Sequence, residues 1–180
     1  MEGNQKQLPE VWMRGPIEGV PTLLQPVAHA LLQVQEDVEK YTKGLQNTSI
    51  WQRPANVASI AFHLQHIVGV LDRMFTYASD LSLSNDQLYY LQKEGVYDQT
   101  VTLNVLRSNL DHQLQISLEK LKEVDINTLT HIRYLGRKRI PTSLISLLFH
   151  AAEHAQRHLR QLLVTAIVLR QEKDNMYYSK

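Results

Sequence analysis

The chain has 180 residues, of which 43% are hydrophobic and 21% are charged, as in an ordinary globular domain. Its 19 basic and 18 acidic residues leave a net charge of +1, which gives no electrostatic support for binding nucleic acid. Cysteine is absent, so disulfides, thiolate metal ligands and a cysteine nucleophile are excluded. We expect one domain that spans residues 1–180.

Residues 1–20 show no hydrophobic period, and we predict an irregular arm with Trp12 as its anchor. These first residues lack the apolar core of a secretory signal, so we expect a cytoplasmic protein. No run of about 18 or more apolar residues occurs anywhere in the chain, so the sequence predicts no membrane span.

The remaining sequence predicts four long amphipathic helices. The first covers about residues 21–45. The second covers about 56–77, with Asn56 as its N-cap. The third covers about 100–122, and the last covers about 142–171 with Thr142 as its cap.

Two shorter segments connect these helices. Residues 86–95, DQLYYLQKEG, predict a short helical connector. Residues 130–143 alternate around Gly136 and predict a small hairpin or an extended loop before the last helix. Four long helices with almost no strand signal indicate an all-α fold, a four-helix bundle.

Five of the eight histidines lie in two of the predicted helices. His63 and His66 lie on one flank of the second helix, beside its apolar stripe. His154 and His158 lie on one flank of the last helix, while His150 lies near its back.

This pattern predicts a metal site between the two helices. Residues i and i+4 of a helix project in parallel, so His154 and His158 can converge on one ion. A third imidazole from the second helix completes a set that leaves a coordination position open. Three nitrogens with an open position suit Zn²⁺, Ni²⁺ or another late divalent ion. Glu153 and Asp72 are candidate partners for the ligand rings, although exposed positions on the helix surface are the commoner role for such residues.

Read together, these stretches resemble the DinB-like (YfiT-like) superfamily of four-helix-bundle metalloproteins. SIAFHLQHI is similar to the second-helix signature of the superfamily, in which a Ser or Thr precedes a ligand His by seven residues. Ser59 then selects His66 rather than His63. EHAQRHLRQL resembles the last-helix pattern, which falls on His154, His158 and Gln161. Arg157 and Arg160 depart from that pattern, which commonly has His and Gly at these places.

The resemblance implies a zinc or nickel ion on His66, His154 and His158, and often a homodimer. It also implies a divided function, since some relatives resemble transferases or isomerases that use low-molecular-weight thiols, and many have no established activity. We therefore expect a metal-dependent transferase that joins a small-molecule thiol to an electrophile, with no nucleic-acid or membrane partner.

Three alternatives stay open. The same ion can activate water, which would make the protein a hydrolase. The protein can instead be a non-catalytic metal-binding or stress-response bundle, with His63 or His150 as a fourth ligand that closes the site. It can also be a helical dimerisation module without metal. The sequence assigns no general base and no catalytic residue. Arg157 and Arg160 are candidates for binding an anionic substrate, although a solvent-facing position is the commoner role for an arginine.

Overall fold

The computed structural model describes residues 8–178, with side-chain positions up to residue 171. Within this range the α-helices are α1 (Gln25–Thr42), α2 (Ile60–Ala78), α3 (Asn85–Lys93), α4 (Leu103–Lys122) and α5 (Leu144–Tyr178). The strands β1 (Ile132–Leu135) and β2 (Ile140–Ser143) form an antiparallel hairpin between α4 and α5. The predicted four-helix bundle, short connector helix and hairpin are confirmed.

The four long helices pack around one apolar core. The helix α5 packs against α1 and α2, and α4 packs against the same two helices. The two helices that carry the histidine clusters, α2 and α5, are therefore direct neighbours. The short helix α3 lies on α2. The apolar stripes meet in the centre, where the following side chains are fully buried: Leu31, Ile60, Leu64, Ile67, Leu71, Leu114, Leu148, Leu159 and Leu162.

The start of α2 differs from the prediction. Asn56 does not cap this helix, because it ends a 3₁₀ turn, Pro54–Asn56, with a positive φ of 65°. Ser59 is the N-cap, and its hydroxyl accepts a hydrogen bond from the backbone N–H of Phe62 at 3.1 Å. Asn56 and Ser59 are both polar residues near the start of α2, and the apolar period alone cannot decide which of them caps the helix.

The start of α5 also lies further along than predicted. Thr142 belongs to β2, where it pairs with Arg133, so it does not cap the helix. The hydroxyl of Ser143 accepts the backbone N–H of Ser146 instead. The same helix continues beyond residue 171, to Tyr178. The first and third helices are each shorter than predicted, because a 3₁₀ turn precedes α1 and Thr102 caps α4.

The N-terminal arm is attached by a different residue from the one predicted. Trp12 is 63% exposed, and its indole N–H donates only to Glu10. Val11, which is buried, holds the arm in place, and its backbone N–H donates to Gln33 on α1 at 2.9 Å. Residues 1–7 of the predicted arm lie outside the described residues.

None of the helices described is both long enough and apolar enough to span a lipid bilayer.

Candidate metal centre

The histidines of α2 and α5 meet where these two helices face each other. The Nε2 atoms of His66 and His154 lie 3.0 Å apart. One ring nitrogen from each of His66, His154 and His158 lies within 4.8 Å of the other two. The rings of His154 and His158 are stacked with their centroids 4.7 Å apart, as parallel side chains one helical turn apart can be. The structure therefore brings together the three residues predicted from the sequence.

The geometry of this cluster fits a divalent ion. Two nitrogens that each lie about 2.1 Å from one ion are about 3.0 Å apart at a right angle and about 3.4 Å apart at a tetrahedral angle. The Nε2 pair of His66 and His154 has this spacing. Three imidazoles without a thiolate or a carboxylate form a donor set that suits late divalent metals. These three histidines could therefore hold a metal ion.

The electrostatics of the cluster favour uncharged rings. Burial, with the charge of neighbouring His66 as the next cause, lowers the pKa of His154 to about 4 and that of His158 to about 3. The same two causes lower the pKa of His63 to about 4. A neutral imidazole has the free lone pair that a metal ligand needs, so these rings are in the ligating form at neutral pH.

His66 has a partner that the sequence analysis missed. Its Nδ1 lies 2.6 Å from Oε2 of Glu94, the residue that directly follows α3. The other oxygen of Glu94 accepts from the guanidinium of Arg73 at 2.7 Å, and both side chains are buried. With Nδ1–H donating to the carboxylate, Nε2 of His66 faces the cluster as an acceptor.

The candidate partners Asp72 and Glu153 bond to other side chains instead of the ligand rings, which agrees with the commoner helix-surface role given above. Asp72 accepts a hydrogen bond from Gln87 at 2.8 Å. Glu153 accepts from Nε of Arg157 at 2.9 Å, one turn along α5, and this guanidinium holds the pKa of Glu153 below its usual range. The Glu153–Arg157 contact follows from the i,i+4 spacing of the two residues on α5, whereas the Asp72–Gln87 contact depends on where α3 docks on α2.

His63 contacts the cluster from outside the three-histidine set. It is only 2% exposed, and its Nδ1 lies 3.1 Å from Nδ1 of His158. When Nδ1–H of His158 donates in this contact, Nε2 of His158 keeps its lone pair for a ligand. His63 therefore orients His158 as Glu94 orients His66. The buried Nδ1 atom of His154 has no hydrogen-bond partner among the described residues.

The second candidate for a fourth ligand lies at the surface. Nδ1 of His150 is 3.8 Å from a carboxylate oxygen of Glu153, and both side chains are more than a third exposed. His150, Glu153 and His154 could together hold an ion, but Glu153 is already bonded to Arg157. Within residues 8–171, neither His63 nor His150 joins the group formed by His66, His154 and His158.

A cavity of about 820 Å³ opens beside the cluster. His63 forms part of its wall next to His158. Val57, Ala58 and Val164 are its apolar lining residues, and the other side chains are polar or charged, among them Arg157 and Arg160. The surface that these residues expose in the cavity is mostly carbon, as is typical of a small-molecule site.

The fold and the histidine cluster together define a helical-bundle protein with a candidate metal centre. A family model of the DinB superfamily matches residues 30–162, well over half of the chain, so the chain belongs to this superfamily. Its structure is similar to a crystal structure described as a conserved protein from Enterococcus faecalis, with a TM-score of 0.68 over 84% of this chain and 99% of that chain. The two sequences are 14% identical, so this likeness concerns the fold alone. No curated protein matches the chain.

Proposed function

We propose that the chain is a divalent-metal-dependent enzyme that transfers a low-molecular-weight thiol to an electrophile. His66, His154 and His158 would hold the ion, with zinc or nickel as the metals that suit them. The observation that carries the proposal is the convergence of one nitrogen from each ring within 4.8 Å of the other two, at the junction of α2 and α5.

The surroundings of the cluster favour a catalytic ion over a structural one. Structural zinc sites are closed by four protein ligands, whereas catalytic sites keep a position open. Among the described side chains, His63 bonds to His158 instead of adding a ligand to the set, and the apolar cavity lies next to this contact. The runner-up function, a non-catalytic metal-binding bundle, would need a fourth ligand.

The charged groups around the cluster favour a thiol over water as the nucleophile. A bound divalent ion supplies positive charge that lowers the pKa of a thiol or a water molecule beside it. The two carboxylates that the structure places beside the cluster are both engaged, Glu94 by His66 and Arg73, and Glu153 by Arg157. Neither is therefore an unpaired base at the cluster. A thiol, with an ordinary pKa of about 8.5, needs far less assistance.

The thiol would come from a cosubstrate, since the chain has no cysteine. In the transfer, the thiol loses its proton to solvent and its sulfur forms a bond to the electrophilic carbon, while the leaving group departs with the electrons of the bond that breaks. The cavity beside His63 would hold the apolar body of a substrate, and Arg160 would face an anionic group on it. We also expect a homodimer, which light scattering on the purified protein measures directly.

Elemental analysis coupled to a thiol-transfer assay tests the proposal. Protein purified without chelator should contain about one zinc or nickel ion per chain. It should also accelerate the reaction of small thiols with an activated aryl chloride, whose thioether product is followed by absorbance. His154→Ala should lose both the metal and the activity, whereas His112→Ala, at an exposed position on α4, should keep both. Less than about a tenth of an ion per chain would contradict the proposal.

A further inference from the structure

A buried carboxylate joins His66 to a buried guanidinium. Glu94 accepts from Nδ1 of His66 at 2.6 Å through one oxygen and from Arg73 at 2.7 Å through the other. Only 3% of the Glu94 side chain is exposed, against 18% for His66 and 8% for Arg73. A carboxylate taken so far out of water requires partners on both oxygens, and it has them.

Gly69 on α2 makes room for this carboxylate. A Cβ atom at residue 69 would lie 2.6 Å from Nη1 of Arg73 and still closer to Oε1 of Glu94. Glycine in the middle of a helix ordinarily costs about 0.5–1 kcal/mol relative to alanine. His66, Gly69 and Arg73 follow one another along the same side of α2. The glycine, which has a poor helix propensity, stands between the two partners of Glu94, where the carboxylate comes closest to the helix backbone.

The end of α3 fixes the backbone from which Glu94 projects. The N–H of Glu94 donates to Tyr90, which closes the last turn of α3. Gly95 follows with φ of +79°, a conformation that favours glycine, and its N–H donates to the side chain of Gln65 on α2 at 2.8 Å. Glu94 is therefore held at its backbone by the docking of α3 on α2, and at its carboxylate by His66 and Arg73.

We infer that Glu94 is a positioning residue for the metal centre, and that Gly69 and Arg73 exist to hold it there. This inference rests on the proposed function, since His66 is the ligand that Glu94 orients. The carboxylate keeps the proton of His66 on Nδ1 and turns Nε2 towards His154. Carboxylate partners of this kind raise the basicity of a ligand imidazole, and their loss lowers metal affinity by about 10–100-fold.

Glutamine at residue 94 keeps the shape of the side chain but removes its negative charge and one of its two acceptor oxygens. Its amide has one oxygen, and both Arg73 and Nδ1–H of His66 require an acceptor. The charged guanidinium takes that oxygen, so the amide NH₂ group faces Nδ1 and favours the tautomer of His66 with its proton on Nε2. Glu94→Gln therefore turns the ligand nitrogen of His66 into a donor without removing any histidine.

Zinc affinity, measured by competition with a chromophoric chelator at fixed pH, tests the inference. Glu94→Gln and Gly69→Ala should each weaken Zn²⁺ binding by about 10–100-fold. Gly69→Ala removes no hydrogen-bonding group and no charge, so a loss of zinc affinity in this variant would come from displacement of the Glu94 carboxylate. Glu36→Gln is the matched control, because Glu36 on α1 is also paired with an arginine, Arg14, at 2.6 Å but lies away from the histidine cluster, and it should change the affinity by less than about twofold.

Tautomer populations in the metal-free protein give a readout that does not depend on the ion. Nitrogen NMR at pH 8 should place the proton of His66 on Nδ1 in the wild type and on Nε2 in Glu94→Gln. The same tautomer in both proteins, or a zinc affinity of Glu94→Gln within about threefold of the wild type, would overturn the inference. Failure of the wild type itself to bind zinc would instead overturn the proposed function.

Discussion

The burial of the Arg73–Glu94 pair predicts a large cost for Arg73→Met. The two side chains are 8% and 3% exposed, so the substitution leaves a carboxylate out of water with only His66 as a partner. Breaking a buried pair by removing one member costs about 3–5 kcal/mol. In a chain of this length each kcal/mol lowers Tm by about 2–4 °C, so Tm should fall by about 6–20 °C.

Urea unfolding in the presence of a chelator measures this cost without a contribution from bound metal. Arg157→Met is the matched control, because it breaks an arginine–glutamate pair whose side chains are 51% and 37% exposed. Exposed pairs contribute about 0–1 kcal/mol, so this variant should remain close to the wild type. Adding Glu94→Gln to Arg73→Met removes the unpaired charge and should recover part of the loss. Equal costs for the two methionine variants would refute the reasoning.

Three further predictions concern pH, the start of α2 and the ion. In metal-free protein the free energy of unfolding should be constant above about pH 7.5 and fall towards pH 4. The unfolded chain takes up protons in that window, whereas the folded pKa values of His63 and His154 are about 4 and that of His158 is about 3. Equal stability at pH 7.5 and pH 5 in urea titrations would contradict this. Ser59→Ala should cost about 1 kcal/mol in the same titrations through loss of the N-cap, and no measurable cost would argue against that cap. Chelation should lower the Tm of the wild type, and His154→Ala should abolish that sensitivity while His112→Ala leaves it unchanged. Equal responses from these two variants would contradict the ligand assignment.

The helices and the flank of each helix that bears histidines could be predicted from the sequence. Apolar residues recur at helical spacing along all four long helices, and this pattern depends only on which face of a helix is buried. The i, i+4 spacing of His154 and His158 likewise fixes their common direction before any packing is known. The resemblance to the superfamily then selected His66 over His63, and the structure places His66 in the three-histidine group.

Glu94 could not be predicted in the same way. It lies at the end of a short connector helix that buries none of its residues in the bundle core, so no apolar stripe indicates where α3 docks. Its contact with His66 depends on that docking, on the positive φ of Gly95 and on the missing side chain of Gly69. The only signal in the sequence was a glycine in the middle of an otherwise well-formed helix, three residues after a candidate ligand.

The central claim is that His66, His154 and His158 hold one divalent ion, and anomalous diffraction at the zinc edge tests it most directly. Crystals grown with one equivalent of Zn²⁺ should show one strong anomalous peak at the junction of α2 and α5. That peak should lie about 2.0–2.1 Å from a nitrogen of each of the three rings. An anomalous map without a peak there, or with its peak on His150 and Glu153 instead, would contradict the account.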